Sequence, residues 1–353
     1  MKEIGLDIYS KLQPVPFTAK MMDENYYIWC TSVVEGDDGK FHMLYSRWPR
    51  QLGHYAWVTD SEVAYAVADH PLGPYYFQDV ALPRRGNSYW DGCVTHNPTI
   101  TRIGSCYYLY YTGTTGTGDV SQPTSMLNSD WWEYRNNQRI GVAVADHPAG
   151  PWKRFDQPML DISQNTSAFD SLLVSNPSVM ARPEGGVLLI YKGVTQNNNL
   201  KGGKVQYGAA IADQPEGPFV KKQGSVFQFE GEGDHYMVAE DPFIWCGSDR
   251  YYALTRDVEG LFTGEDGGIV LFESQDGLNW SVSAHPKALG KEFRWEDGSF
   301  SGTKLERPQL LFRNGSPHVL FGAIDVNEPT ERGHSYSVFI PLGNESTFEG
   351  VAE

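Results

Sequence analysis

The stretch AVADHPLGPYYF, from Ala66 to Phe77, is written again as AVADHPAGPWKRF from Ala143 to Phe155, and a third time as AIADQPEGPFV from Ala210 to Val220. Self-similarity at an interval restricts a chain to architectures assembled from equivalent units, so the period comes before any single motif. Prolines that open apolar runs set it: Pro98 in THNPTI, Pro177 in SNPSVM, Pro242 in AEDPFIW and Pro308 in ERPQLLF stand 79, 65 and 66 residues apart. One period upstream, WCTSVV at Trp29 keeps the apolar run without the proline. Five units fill the chain.

Each unit continues into a second run rich in Tyr, Phe, Val, Ile and Leu: KFHMLYSRW, SCYYLYYTGTT, GVLLIYKGV, RYYALTRDV and SPHVLFGAID. Such runs, bounded by Gly, Asp and Asn, read as strands joined by tight turns. A third strand follows, as in VAYAVA, IGVAVA and YGAAIA, and the repeated D-x-P-x-G-P-aromatic phrase is the turn from it to the outermost strand. There Pro fixes its own φ and Gly permits a positive one. ESQDGLNW, Glu273 to Trp280, does the same work in the fourth unit.

Four strands per unit without sustained helical periodicity predict an all-β fold: a five-bladed β-propeller of four-stranded antiparallel blades around a central axis. It is read as one domain over residues 1–353, with blades starting near residues 29, 96, 175, 240 and 306. The best helical candidate, SMLNSDWWEYRNNQ from Ser125 to Gln138, is read as a loop inserted in blade 2, which also accounts for the longer 79-residue spacing.

The formal net charge of −16 argues against a nucleic-acid partner, which would require concentrated positive charge. No apolar run approaches the length of a membrane span, and the start MKEIGLDIYS lacks the apolar core of a secretory signal, so cytoplasm is the expected location. Cys30, Cys93, Cys106 and Cys246 form no C-x-x-C pair and have no zinc-ligand spacing around them; buried free thiols are expected. No nucleotide-binding glycine fingerprint, nucleophilic serine elbow or P-loop occurs.

In a propeller the residues just before each inner strand crowd around one mouth, joined by the loops after each second strand, and that mouth is the default pocket. The opening positions are Trp29 and Cys30, His96 and Asn97, Ser175 and Asn176, Glu240 and Asp241, and Glu306 and Arg307. The second-strand loops add Arg47 and Trp48, Thr112, Lys192, Arg256 with Asp257, and Asp325, and YWDG upstream of blade 2 adds Trp90 and Asp91. Converging polar groups suit a hydroxyl-rich ligand, and Trp29, Trp48 and Trp90 are candidate platforms for the apolar face of a sugar, although packing between blades is the commoner fate of a Trp.

Two carboxylates flanking a bond can serve as acid and base, or as acid and nucleophile. Glu240 and Glu306 occupy equivalent positions two residues before a proline, and Asp91 is a third candidate. Each has a structural alternative: Glu240 as a lock on the neighbouring blade, Glu306 in an ion-pair network with Arg307, Asp91 in an ordinary turn. His96 could take up a proton or polarise a substrate, or simply complete a hydrogen-bond network with Asn97. Lys192, Arg47 and Arg307 could grip a substrate carboxylate or sulfate, or neutralise Glu240, Asp241 and Glu306.

On these residues the chain resembles the five-bladed glycoside hydrolases of family 43 and its relatives, including families 32 and 117. The resemblance runs over essentially the whole chain and rests on architecture, with the S-x-D-G-x-N-W and D-x-P-x-G-P-F turns in support. It implies an Asp base opening blade 1, an Asp pKa modulator opening blade 3 and a Glu acid opening blade 4. Glu240 in AEDP matches the acid, whereas Cys30 and Asn176 stand at the other two positions; an Asn keeps hydrogen bonding but no charge. The resemblance further implies no required cofactor, with a site on the propeller axis for calcium or another divalent cation.

Three functions follow as alternatives. The first is an exo-acting glycoside hydrolase removing a terminal sugar, neutral or uronic or otherwise acidic, from an oligosaccharide, with Glu240 as acid and Asp91 or Glu306 activating water. The second is a lyase acting on a uronate, with His96 or a Tyr as base and Lys192 or Arg307 neutralising the carboxylate. The third is a non-catalytic sugar-binding propeller.

Overall fold

A computed structural model describes residues 5–118, 126–302, 305–325 and 334–343. Five four-stranded antiparallel sheets form the blades of a β-propeller. Blade 1 is Tyr26–Glu35, Phe41–Pro49, Glu62–Ala68 and Tyr76–Leu82. Blade 2 is Val94–Ile103, Cys106–Thr114, Arg139–Ala145 and Lys153–Arg154, and blade 3 is Leu173–Ala181, Val187–Val194, Val205–Ala212 and Val220–Lys221. Blade 4 is Ala239–Cys246, Tyr251–Asp257, Gly268–Ser274 and Trp280–Leu289. In each, the sequence order of strands is their order from axis to rim.

Blade 5 departs from this pattern. Leu305–Arg313, Ser316–Asp325 and Ser335–Pro341 supply three strands, and the fourth comes from the other end of the chain: Lys20–Met22 pairs with the last strand in the register Lys20↔Val338, Met21↔Ser337 and Met22↔Tyr336. The first and last parts of the sequence are thus sewn into one sheet, which closes the ring and leaves blade 5 only a short outer edge.

The repeated turns behave as their composition predicts. Gly73, Gly150 and Gly217 take φ of 83°, 87° and 93°, and each precedes a cis proline. Between the second and third strands of blade 2 the expected plain loop contains a helix, Ser129–Asn136, whose N-terminus is capped by the Asn128 side chain accepting from Asp130 N at 2.9 Å. Propensity alone is weak for this short polar segment. What holds it is burial of Trp131 and Tyr134, with Trp131 Nε1 donating to Tyr55 O. Ser125, the first residue of that stretch, lies outside the described residues. All four cysteines are free, and no helix among the described residues is long and apolar enough to cross a membrane.

Where the inner strands enter, all five carry the same irregularity. The register shifts between Trp29 and Ser32, His96 and Thr99, Ser175 and Ser178, Glu240 and Phe243, and Glu306 and Gln309. Within each bulge one non-glycine residue is left-handed: Cys30, Asn97, Asn176, Asp241 and Arg307, at φ between 51° and 56°. Three of these strained positions are anchored by a hydroxyl from the preceding blade, which accepts from their backbone N–H: Ser46 for Asn97, Thr112 for Asn176 and Tyr207 for Asp241. A bulge re-aims side chains and ends regular pairing, so it turns five equivalent residues toward the axis.

Candidate active site at the propeller axis

The five bulge residues link side chain to side chain. Cys30 Sγ donates to Asn97 Oδ1 (2.7 Å), Asn97 Nδ2 to Asn176 Oδ1 (2.5 Å), Asn176 Nδ2 to Asp241 Oδ1 (2.6 Å), and Arg307 Nη1 reaches the same Asp241 oxygen at 3.3 Å. Burial pushes the Cys30 thiol well above its ordinary range, which keeps it a protonated donor. It also pushes the Asp241 carboxyl up, against the pull of the Arg307 guanidinium. Four members of this chain, Asn97, Asn176, Asp241 and Arg307, form the floor of a cup of about 300 Å³. The linked donors do not suit an axial calcium: the one carboxylate is already bonded to a guanidinium that is only 2% exposed, and the amides and thiol are spent on each other.

One wall of the cup is aromatic and comes from blades 1 and 2. Trp29 and Trp48 lie 6.3 Å apart, Trp48 meets His96 at 5.7 Å, Trp57 stacks on His96 at 5.2 Å, and Trp57 leads edge-on to Trp131 and then Trp132. His96 Nδ1 is 2.7 Å from Ser61 Oγ, and burial, with Arg307 and His54 nearby, holds its imidazole well below the usual histidine range, hence neutral at pH 7.

The opposite wall is ionic and comes from blades 3, 4 and 5. Lys192 Nζ donates to Glu240 Oε1 at 2.9 Å, and Arg256 Nη1 is shared between Glu240 Oε2 at 2.9 Å and Glu306 Oε1 at 3.0 Å. Both carboxylates keep a little exposure to the cup, 14% for Glu240 and 17% for Glu306. Two carboxylates within reach of one nitrogen, facing aromatic rings, can take and give protons at a bound hydroxyl or ether oxygen.

Of the residues proposed from sequence, Glu240, Glu306, His96, Trp29, Trp48, Asn97, Asn176, Lys192, Asp241 and Arg307 line this cup, as does Ser175. Asp91, Trp90 and Arg47 do not. Asp91 is completely buried, with Tyr111 OH donating to Oδ2 and Arg85 Nε to Oδ1, both at 2.7 Å, and Arg154 Nη1 at 3.4 Å. Trp90 stacks on Tyr111 at 5.7 Å, in space kept open by Gly113 and Gly141.

The repeat itself exposes this pair as structural. Phe169–Asp170, 79 residues on, repeats the arrangement in blade 3: Phe169 stacks on Tyr191, whose hydroxyl donates to Asp170, and Lys221 replaces Arg154. Arg47 bonds Glu62 at 2.9 Å and lies between the rings of Tyr26 and Phe77, away from the cup. Asp257 binds the backbone N–H groups of Leu261, Phe262 and Thr263, so it staples a loop.

Sequence reasoning missed His54, Trp57, Trp131, Trp132 and Arg135, which the long loops after the second strands of blades 1 and 2 bring to the rim. The available signal was the density of aromatic residues in GHYAW and DWW within otherwise polar loops. Roomier hollows exist off the axis, of about 930 Å³ beside Lys11, Glu35 and Arg313 and about 500 Å³ beside Lys204, Gln228 and His235. Neither gathers paired carboxylates against an aromatic wall.

No protein-family model matches this sequence, and no curated protein matches it. Solved structures do match along nearly the whole chain. A family 117 glycoside hydrolase of the marine bacterium Zobellia galactanivorans is similar at 18% identity and a TM-score of 0.62, over 94% of this chain and 89% of that one. A second glycoside hydrolase is similar at 15% identity and a TM-score of 0.65, over 95% and 93%. A thermostable family 43 glycoside hydrolase follows at 13% identity and a TM-score of 0.60, over 95% and 96%. The chain therefore has the five-bladed fold of these hydrolases, at an identity that marks it as divergent.

Proposed function

We propose that the protein is a glycoside hydrolase that removes a terminal sugar from an oligosaccharide. The observation that carries this reading is the pairing, across one small cup, of an aromatic wall with Glu240 and Glu306. The neighbours' shared chemistry supports it. A floor closed by the bulge residues and a volume of about 300 Å³ support exo action, since there is room for little more than one ring.

Glu240 protonates the leaving oxygen. Glu306 is the second carboxylate, acting on water or on the anomeric carbon; Asp91, which is fully buried, is not assigned that role. Lys192 and Arg256 hold the two carboxylates in place. The lining carries Arg135, Lys192, Lys201 and Arg307 against Glu240, Asp241 and Glu306, an excess of cations in a chain of net charge −16, and this supports an acidic sugar as substrate.

The test is a panel of neutral and uronate-terminated oligosaccharides incubated with the wild type and with Glu240→Gln. The variant should lower kcat by roughly 100- to 10,000-fold while leaving KM within a few-fold. Undiminished turnover would overturn the assignment of Glu240. A uronate lyase is the second reading, favoured by the neutral, buried imidazole of His96 at the cup; it would yield a product with the ultraviolet absorbance of a conjugated enol ether. Saturable binding without cleavage of any panel member would establish a sugar-binding propeller in place of either enzyme.

A further inference from the structure

The cup opens where the inner strands begin. Antiparallel alternation puts the turns between first and second strands, and between third and outer strands, on the other face. There, at the junction of blades 1 and 2, Asp38, His42 and His147 each offer a ligand atom, all within 4.8 Å of one another. We propose that these three residues form a binding site for a borderline divalent metal such as Zn²⁺, tying blade 1 to blade 2 on the face opposite the cup.

The donor set defines the class of ion. Two imidazoles and one carboxylate suit Zn²⁺, Co²⁺, Ni²⁺ or Cu²⁺, whereas Ca²⁺ and Mg²⁺ seek oxygen ligands. His42 Nε2 and Asp38 Oδ1 are 3.0 Å apart across the turn 36–40. Their approach depends on Gly36: a Cβ there would stand 2.5 Å from Nε2 and 2.6 Å from Oδ1. His42 is buried and oriented from behind, its Nδ1 lying 2.7 Å from Tyr65 OH. A hydroxyl can accept as well as donate, so Tyr65 Oη can accept a hydrogen bond from a protonated Nδ1, the tautomer that leaves Nε2 free for a metal and the support that metal-bound histidines usually have.

His147 comes from the repeated D-H-P turn of blade 2, and its ring meets that of His42 edge-on at 5.2 Å. Its Nδ1 accepts from Ala149 N at 3.1 Å. Binding a metal through either ring nitrogen gives up that one exposed hydrogen bond, and water can replace it. Lys40, whose charge acts on His42, is drawn off by Asp69 at 3.3 Å. Exposure of Asp38 and His147 leaves the remaining coordination positions to water.

The site is independent of the proposed sugar chemistry, and so is its test. The full chain, treated with chelator and dialysed, is titrated with ZnCl₂ alone by calorimetry, and with CoCl₂ while the visible spectrum is followed. One equivalent should bind, with Co²⁺ d–d bands showing nitrogen and oxygen coordination. His147→Ala and Asp38→Asn, both at exposed positions that leave the fold intact, should each weaken binding roughly tenfold or more, and Tyr65→Phe by about tenfold. His235→Ala, which removes a donor elsewhere, and Cys106→Ser, whose sulfur lies 3.9 Å from Asp146 beside His147, should change nothing. No stoichiometric binding by the wild type, or unchanged binding by His147→Ala, overturns the proposal; so does loss of binding in Cys106→Ser, which would move the ion to a neighbouring thiol.

Discussion

Replacing Asp91 by Asn removes the charge of a carboxylate that has no exposure and that receives Arg85 and Tyr111 at 2.7 Å and Arg154 at 3.4 Å. The amide oxygen can keep only the donors of one carboxylate oxygen, the amide nitrogen then faces a donor, and Arg154 loses its counter-charge while Arg85 keeps only Asp156 at 3.1 Å. Breaking a buried ion pair costs roughly 3–5 kcal/mol. Arg85 and Arg154 are 16% and 11% exposed, so water recovers part of this, and the lower end, about 3 kcal/mol, is expected. An unfolding entropy of about 2.1 cal/mol/K per residue gives about 0.7 kcal/mol/K for 353 residues, hence a fall in melting temperature of about 4 °C. Asp170→Asn, the twin in blade 3, removes a carboxylate bonded to Tyr191 at 2.9 Å and Lys221 at 2.6 Å, and should fall by a similar amount. Scanning fluorimetry reads both, and turnover of whichever substrate the wild type cleaves should stay within a few-fold. An Asp91→Asn protein that melts with the wild type yet loses turnover would refute this reasoning and return Asp91 to the chemistry.

Two other expectations concern charge in the interior. Burial is the leading cause that holds His42, His96 and His318 below the usual histidine range, so the unfolded chain takes up protons near pH 6.5 that the folded chain refuses. Their contribution is complete above about pH 6.5 and is lost below it, by up to about 1.4 kcal/mol per pH unit for each; His235, raised by Glu259, works the other way. The melting temperature should therefore fall between pH 7.5 and 5.5, and a flat or rising profile would contradict this. Asn176→Asp introduces the acidic residue that the resemblance to family 43 implies at that position, but here it would set a carboxylate against Asp241 Oδ1, now 2.6 Å from the amide nitrogen. It should cost at least about 2 kcal/mol at pH 8 and less at pH 5, where the pair can share a proton, as paired melts would show; equal stability at pH 8 would show that the bulge residues tolerate a second charge.

The blade count, the order of strands and the mouth where the polar side chains gather were legible in the sequence. They are set by local rules: alternation with period two, Pro and Gly at turns, and a repeat that writes each unit in the same order. The same rules put Glu240, Glu306 and Lys192 at the cup, because each sits at a fixed offset from an inner or second strand. They misplaced Asp91, although Phe169–Asp170 at the same interval already marked it as a packing element, and Arg47, whose partners Tyr26, Phe77 and Glu62 become neighbours only across the finished sheet.

The period in the sequence by itself determined a ring of five sheets with a polar mouth. Only the tertiary structure decided that the N-terminal strand closes blade 5, that five left-handed residues link side chain to side chain, and that Trp57 and Trp131 lean over the cup while Asp38 and His42 meet His147. Each of these is a contact between segments far apart in the chain, fixed by how neighbouring blades pack. Alternation and turn chemistry act over a few residues and carry no information about which distant side chain will arrive opposite.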